Sequence, residues 1–330
     1  MSLPPRPDFE PDDEDPRPTR RAGPLLAWLR LLRLPNVFTA LADVAMGYLF
    51  VHRSVPGPGQ LACLAAASAL LYSAGMVLND VFDFEVDSRE RPFRPLPAGQ
   101  IKLPTARAVG FWLLALGVAA GWTAGYIPPA AVPWRSGLAA ILLAAAVLLY
   151  DSTLKFTPLG PFGMGLCRFL NVLLGMSTAT PLPGALAAGY GAGELLAAAG
   201  IGVYIVGVTW LARSEAGVSR AAVLMAAMAV MTAGVAILGS SITWLLMPAM
   251  QVEYYWLLLG LLMLTVLRRC GVAAADPQPE KVQAAVKHSI LSLIWLDAAT
   301  AAAVAGPVPG LAIAALLIPA FVLGRWVYST

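Results

Sequence analysis

Long apolar runs dominate this sequence and constrain its fold more than any other feature. Runs of roughly 17–24 residues alternate with short polar loops, and about 20 apolar residues at 1.5 Å each span the ~30 Å hydrocarbon core of a bilayer. Charged residues make up 12% of the chain, whereas soluble domains carry about 25%. The sequence therefore predicts an all-α, polytopic membrane bundle. The ten candidate spans are 36–53, 60–79, 106–126, 134–150, 162–182, 195–212, 220–243, 252–267, 286–304 and 308–328.

The positions of the basic residues predict the orientation of these spans. With a cytoplasmic N-terminus, all of the 22 Lys and Arg residues except Arg53 and Arg135 lie in or near the predicted cytoplasmic segments. This bias favours an even number of spans with both ends in the cytoplasm. A nine-span arrangement, with the C-terminus outside, is the alternative. We expect a multi-pass protein of a bacterial inner membrane.

The net charge of +3 is too small to indicate nucleic-acid binding. Nucleic acid is therefore not an expected partner, whereas the apolar spans imply contact with membrane lipids.

The first part of the chain differs from the rest. Residues 1–22 are rich in Pro, Asp, Glu and Arg, which predicts a disordered cytoplasmic tail. Residues 24–34 place Leu and Trp around Arg30 and Arg33, a pattern typical of a short amphipathic helix at the membrane interface. The membrane domain is expected to cover residues 23–330.

Three aspartates directly follow the second predicted span. At about 100° per residue, Asp83 and Asp87 lie roughly 60° and 20° from Asp80, so the three carboxylates share one helix face. Asn79 borders that face, and Glu85 points away. Like charges at this spacing repel, and a divalent cation would convert the repulsion into ligation. Mg²⁺ often binds through one or two carboxylates together with phosphate oxygens.

The aspartate face is therefore predicted to bind Mg²⁺ and a diphosphate. The alternative is a solvated helix end with ordinary surface acids. Ionisable residues that continue an apolar span are functional candidates, which favours the metal site. Arg91 and Arg94 follow in a proline-rich loop, and the planar guanidinium suits phosphate. Alternatively, these two residues only fix the membrane topology, because positive charges favour the cytoplasmic side.

The pattern Asn-Asp-x-x-Asp-x-x-x-Asp, followed by Arg-Pro-x-Arg-Pro-Leu-Pro-x-Gly, resembles the UbiA superfamily of intramembrane prenyltransferases. Tyr150-Asp151-x-x-x-Lys155 is similar to the tyrosine-and-lysine segment of that family. The resemblance implies a ring of about nine to ten transmembrane helices around a central cavity. It also implies that two Asp-rich motifs hold Mg²⁺ and an isoprenyl diphosphate, and that the prenyl group passes to an aromatic or other lipophilic acceptor.

The resemblance further implies roles for single residues. The first Asp-rich motif and the basic residues near the diphosphate would be Asn79, Asp80, Asp83, Asp87, Arg91, Arg94 and Lys155. The three aspartates would be catalytic metal ligands, and Asn36 would be the polar residue that the first span contributes to the cavity. Asp151 is a candidate general base; its alternative role is a hydrogen bond at the helix end.

The sixth predicted span departs from the family pattern. It ends Thr-Trp-Leu-Ala-Arg213-Ser-Glu215, without the second Asp-rich motif. Glu215 could bind one metal ion and Arg213 could contact a phosphate, or both could be solvated. This departure leaves a second function open, a UbiA-like membrane binding or transport component with reduced catalysis.

The fifth predicted span opens with a segment of its own character. Arg168 and Asn171 lie one turn apart and are candidate substrate-binding residues, and Gly165 and Gly175 would allow close helix packing. Together with Tyr150-Asp151 and the Arg-x-Glu ending, this segment is similar to the divergent EboC-like branch. Asp43 could face the cavity or a neighbouring helix.

Overall fold

A computed structural model describes residues 23–181, 184–186, 188–213, 221–245, 249–276 and 278–327. The predicted tail and Glu215 lie outside these residues. The helices are α1 Pro24–Leu31, α2 Leu34–His52, α3 Pro58–Phe82, α4 Phe84–Glu90, α5 Leu103–Ala124, α6 Pro133–Ser152, α7 Gly160–Met176, α8 Ala192–Ala212, α9 Ala221–Ser241, α10 Ala249–Ala275, α11 Pro279–Ala305, α12 Pro307–Ala314 and α13 Leu317–Val327.

The helices confirm the prediction of an all-α, multi-pass membrane protein. Among the described residues, nine segments are long and apolar enough to cross a membrane; the last, Pro307–Arg325, covers α12 and most of α13. Helix α7 corresponds to the predicted fifth span but is not one of these nine segments; its 17 residues rise about 26 Å. Neighbouring long helices pack in chain order from α3 to α11, and α11 and α3 both contact α2. This order closes the ring that the resemblance implied.

Glycines bring α7 close to two neighbouring helices. A Cβ atom on Gly47 of α2 would lie 2.5 Å from the Val172 carbonyl oxygen of α7. On the other side of α7, a Cβ atom on Gly165 would lie 2.7 Å from the Gly202 carbonyl oxygen of α8. The expected close packing of α7 is therefore present, and backbone contact leaves room for nothing larger than glycine at these points.

A buried ion pair also joins α2 and α7. Arg168 Nη1 lies 2.8 Å from Asp43 Oδ2, and Arg168 Nη2 donates to Thr39 Oγ1 at 2.8 Å. Asn171 Nδ2 donates to the same Asp43 oxygen at 3.1 Å. Charges in an apolar interior are tolerated when they are paired and hydrogen-bonded. Arg168 is therefore buried inside the bundle and paired, and its charge does not face the lipid.

Arg135, one of the two exceptions to the charge bias, has a structural role. Its side chain is 2% exposed. Arg135 Nε donates to the Ser177 carbonyl oxygen at 2.6 Å, and Nη1 donates to that of Gly189 at 3.1 Å. The guanidinium therefore donates to carbonyl groups at the C-terminal end of α7 and in the segment before α8, and the last carbonyls of a helix have no partner within it.

We expect Arg168→Met to destabilise the bundle by about 3–5 kcal/mol, because Asp43 would remain as a buried charge without its cation. The double variant Asp43→Leu/Arg168→Met removes both charges and should recover much of the loss. Thermal unfolding of the detergent-solubilised protein measures both effects. Additive losses in the double variant would contradict the pairing of the two side chains.

Candidate active site

The predicted aspartate face lies at a break between two helices. Helix α3 ends at Phe82, α4 begins at Phe84, and Asp83 occupies the junction. Asp80 and Asp87 are 6% and 3% exposed, respectively. The prediction of one uninterrupted helix face needs correction: Asp80 and Asp87 both approach Arg94, whereas Asp83 contacts a different segment.

Three basic side chains neutralise these three carboxylates. Arg94 Nη1 lies 2.6 Å from Asp87 Oδ2 and 3.7 Å from Asp80 Oδ1. Arg33 Nη2 lies 3.1 Å from the same Asp80 oxygen. Lys155 Nζ lies 2.7 Å from Asp83 Oδ1. The site is therefore charge-balanced, and its cations come from the start of α2, the loop after α4 and the loop after α6.

Sequence reasoning missed Arg33 as a site residue. The available signal was a cation directly before the first span, three residues ahead of Asn36. Its backbone adopts the left-handed conformation, with φ of 46°, which a sequence pattern does not reveal. Arg33 reaches an aspartate 47 positions away in the chain, and this pairing depends on how α2 packs against α3.

The donor set of this cluster fits a hard divalent cation shared with a phosphate. In the described part of the chain, the ion pairs engage one oxygen of each carboxylate. No group of three His, Cys, Asp or Glu side chains among the described residues is already arranged around a metal-sized site. Mg²⁺ does not need such a group, because it retains waters and binds through one or two carboxylates plus phosphate oxygens.

A narrow cavity of about 60 Å³ lies between α2, α3, α6 and α7. Its walls include apolar side chains such as Leu71, Leu143 and Val147. Its polar side chains are Ser68, Tyr72, Tyr150, Asp151, Arg168 and Asn171. The lining is therefore mostly apolar with a few polar groups, as in small-molecule sites, although the volume of the cavity is smaller than the roughly 300–1,000 Å³ that such sites usually have.

Asp151 connects the aspartate cluster to this cavity. Asn79 Nδ2 donates to Asp151 Oδ1 at 3.0 Å, and Lys155 Nζ donates to the Asn79 carbonyl oxygen at 3.4 Å. Asp151 is 2% exposed, and its Oδ2 has no hydrogen-bond partner within the described residues. A Cβ atom on Gly75 would lie 3.8 Å from this oxygen. An unpartnered buried carboxylate oxygen therefore lies at the cavity wall.

Three more of the predicted substrate-binding residues, Asn36, Arg168 and Asn171, lie at or near this cavity. The Asn36 side chain hydrogen-bonds to Tyr72, which lines the cavity. The Arg168 guanidinium lies 5.4 Å from the Tyr72 ring centroid. Asn171 accepts a hydrogen bond from Ser68 at 2.7 Å. Arg168 and Asn171 therefore line the cavity, and Asn36 reaches it through Tyr72.

Two predicted diphosphate ligands lie outside the cluster. The Arg91 side chain is exposed and forms no ion pair within the part of the chain that the structure describes. Arg213 Nη2 donates to the Lys155 carbonyl oxygen at 2.8 Å. Arg213 therefore supports the segment that carries Lys155 and contacts none of the three aspartates.

Comparison with known proteins identifies relatives along most of the chain. The sequence model of the UbiA prenyltransferase family matches residues 40–293. Digeranylgeranylglyceryl phosphate synthase of Metallosphaera sedula is 31% identical over 130 residues, covering 39% of this chain and 43% of that protein. The enzyme of the same name from Ignicoccus hospitalis is 34% identical over 177 residues, covering 53% and 51%. The chain thus spans about half the length of these curated relatives.

Solved structures share the fold. A structure described as giving insight into digeranylgeranylglyceryl phosphate synthase in membranes aligns with a TM-score of 0.60 at 20% identity, covering 86% of this chain and 99% of that one. A UbiA homologue from Archaeoglobus fulgidus bound to GPP and Mg²⁺ aligns with a TM-score of 0.54 at 16% identity, covering 87% and 99%. The EboC-like branch stays a prediction. The match to the family model across residues 40–293, with the same fold in its solved members, shows that this chain belongs to the UbiA prenyltransferase family.

Proposed function

We propose that this protein transfers a prenyl group from an isoprenyl diphosphate to a lipophilic acceptor inside the membrane, with Mg²⁺ as cofactor. The observation that carries the proposal is the charge-balanced cluster of three aspartates and three cations beside a mostly apolar cavity. The family membership supports the reaction class. The GPP and Mg²⁺ in the Archaeoglobus fulgidus homologue support the choice of donor and metal.

The charge balance of the cluster explains why a metal would be needed. Arg33, Arg94 and Lys155 already neutralise the three carboxylates. A diphosphate brings several further negative charges, and an added cation must accompany them to the membrane edge. Asp80, Asp83 and Asp87 would hold Mg²⁺, which would stabilise negative charge on the leaving diphosphate.

The basic side chains would stabilise the leaving group, and the cavity would bind the prenyl tail. When the allylic C–O bond breaks, its electron pair stays with the diphosphate, and Arg33, Arg94 and Lys155 stabilise that charge. The apolar wall around Leu143 and Val147 holds the prenyl tail and excludes water. The acceptor forms the new bond from the cavity side.

Asp151 is the proposed general base. Its Oδ2 is unpartnered at the cavity wall, whereas its Oδ1 is held by Asn79. An acceptor with a hydroxyl or amino group could donate a hydrogen bond to Oδ2 and release its proton there as the new bond forms. Arg168 and Asn171 are proposed to line the acceptor end of the cavity.

We also propose that the aspartate cluster faces the cytoplasm and that the N-terminus lies on the same side. The distribution of Lys and Arg along the chain supports this orientation. A bacterial inner membrane stays a prediction from the sequence.

We expect Asp83→Asn to lower Mg²⁺-dependent diphosphate release by about 10²–10³-fold, because the variant keeps the side-chain shape and removes a metal-binding charge. The assay measures inorganic diphosphate released from a panel of prenyl diphosphates, including geranyl diphosphate, with and without Mg²⁺. Glu85→Gln is the matched control, since this exposed acid lies on the same short segment and faces away from the cluster.

The same assay tests the second candidate function. The sequence Tyr204 to Glu215 lacks the second Asp-rich motif, which favours a membrane binding or transport component with reduced catalysis. If the wild-type protein binds prenyl diphosphates with Mg²⁺ but releases no diphosphate, that second function stands. Equal release by the wild type and Asp83→Asn would refute the role of the cluster.

We expect Asp151→Asn to lower prenyl transfer by about 10²–10⁴-fold while prenyl diphosphate binding stays unchanged. The variant keeps an oxygen to accept the Asn79 hydrogen bond and loses the base. The measurement follows label from a radioactive prenyl diphosphate into the lipid extract of membranes that contain the protein, with binding measured in parallel. Ser152→Ala, at the exposed neighbouring position, is the control. A parallel loss of binding would show that Asp151 only maintains the diphosphate site.

A further inference from the structure

A second cavity, lined by several basic residues, lies between α10 and α11. None of the ion pairs of the aspartate cluster involves these two helices. Its volume is about 500 Å³, and its basic lining residues are Arg268, Arg269, Lys281 and His288. Arg268 and Arg269 are exposed and form no ion pair within the described residues. Lys281 is paired with Asp276, and Arg269 lies close enough to His288 to act on it electrostatically. The cavity therefore concentrates positive charge, and Arg268 and Arg269 are not paired with an acid within the described residues.

The lining residues of this cavity recur at regular helical spacing on both helices. On α10, lining residues recur from Leu264 through Arg268 to Val272, four positions apart. On α11, Lys281 and His288 are seven positions apart and lie on one face. Thr265 Oγ1 and His288 Nε2, 3.3 Å apart, join the two helices at the deep end. The two basic faces are therefore held opposite each other by regular helices.

The basic cavity lies near the ends of α10 and α11 that the short loop connects. Each helix has 27 residues and rises about 40 Å, roughly 10 Å more than the hydrocarbon core. Arg268 lies about 10 Å before the end of α10, and Lys281 lies in the first turn of α11. Arg and Lys side chains near helix ends extend toward the membrane surface, so their charged groups can reach the phosphate layer.

An apolar groove continues from the basic cavity. This groove, of about 310 Å³, runs between α9 and α10 and is lined by residues that include Trp256, Met263 and Leu264. Leu264 also lines the basic cavity and is 62% exposed. A ligand that bridges the two needs an anionic head and an apolar chain, which is the form of a phospholipid.

We propose that α9, α10 and α11 form a binding site for an anionic phospholipid. Its phosphate lies on Arg268 and Arg269 with Lys281 at the rim, and one acyl chain follows the groove past Leu264. Basic pockets between transmembrane helices at a membrane surface recognise anionic headgroups in this way. The site is separate from the proposed transfer reaction and does not depend on it.

The test uses the full-length protein in detergent with phosphatidylglycerol or phosphatidylcholine, and reads bound lipid by native mass spectrometry and thermal midpoint. Wild type should bind phosphatidylglycerol preferentially and be stabilised by it. Arg268→Gln/Arg269→Gln should weaken that binding by about 30-fold, since each Arg near a membrane surface contributes about fivefold. Arg107→Gln/Arg325→Gln removes the same charge from exposed positions on α5 and α13, and should bind like the wild type.

A second arm separates a lipid from a free anion. Leu264→Gln disturbs the groove and keeps both arginines, so it should weaken phosphatidylglycerol binding, whereas an anion held by the arginines alone would bind to this variant as to the wild type. Equal weakening by both double variants, equal binding of the two lipids, or competition by inorganic diphosphate at the same concentration as the lipid would each overturn the proposal. Because Arg268 and Arg269 are exposed, the variants should unfold at the wild-type temperature without lipid.

Discussion

The pairing of three aspartates with three distant cations is the interaction on which the site depends. Three carboxylates next to an apolar span would repel one another and lose hydration, and each is offset here by Arg33, Arg94 or Lys155. These cations come from three different segments, so the same ion pairs fix the start of α2 and two loops around the end of α3. The ion pairs therefore also position these segments around the aspartate cluster.

The cavity beside the cluster has few charged groups and offers a hydrogen-bond acceptor. Arg168 is its one lining cation, and Asp43 and Thr39 already engage that guanidinium. Asp151 Oδ2 remains a buried hydrogen-bond acceptor at the cavity wall without a partner among the described residues. A cavity that offers such an acceptor favours a ligand that donates hydrogen bonds, because a buried acceptor left unpaired costs about 1–3 kcal/mol. The two ends of the proposed site therefore suit different reactants, an anion at the cluster and a hydrogen-bond donor at the cavity.

Local sequence patterns predicted the helices and the aspartate motif, because apolar length and helical spacing are local properties. These local patterns do not reveal ion pairs between residues that are far apart in the chain. Arg33 binds an aspartate 47 positions away, and Arg168 binds Asp43 across 125 positions; neither ion pair was predicted. The break at Asp83 also escaped the helical projection, because the residue turns toward Lys155 on another segment.

The missing second Asp-rich motif gains a physical meaning from the position of Arg213. Where the resemblance leads one to expect carboxylates, a guanidinium donates to the carbonyl oxygen of Lys155, and Lys155 in turn contacts Asp83 and the Asn79 carbonyl oxygen. A fixed cation at this end of α8 adds positive charge beside the cluster without binding a metal. Among the described residues, the proposed Mg²⁺ chemistry therefore rests on Asp80, Asp83 and Asp87, with Arg213 acting through the segment that positions Lys155.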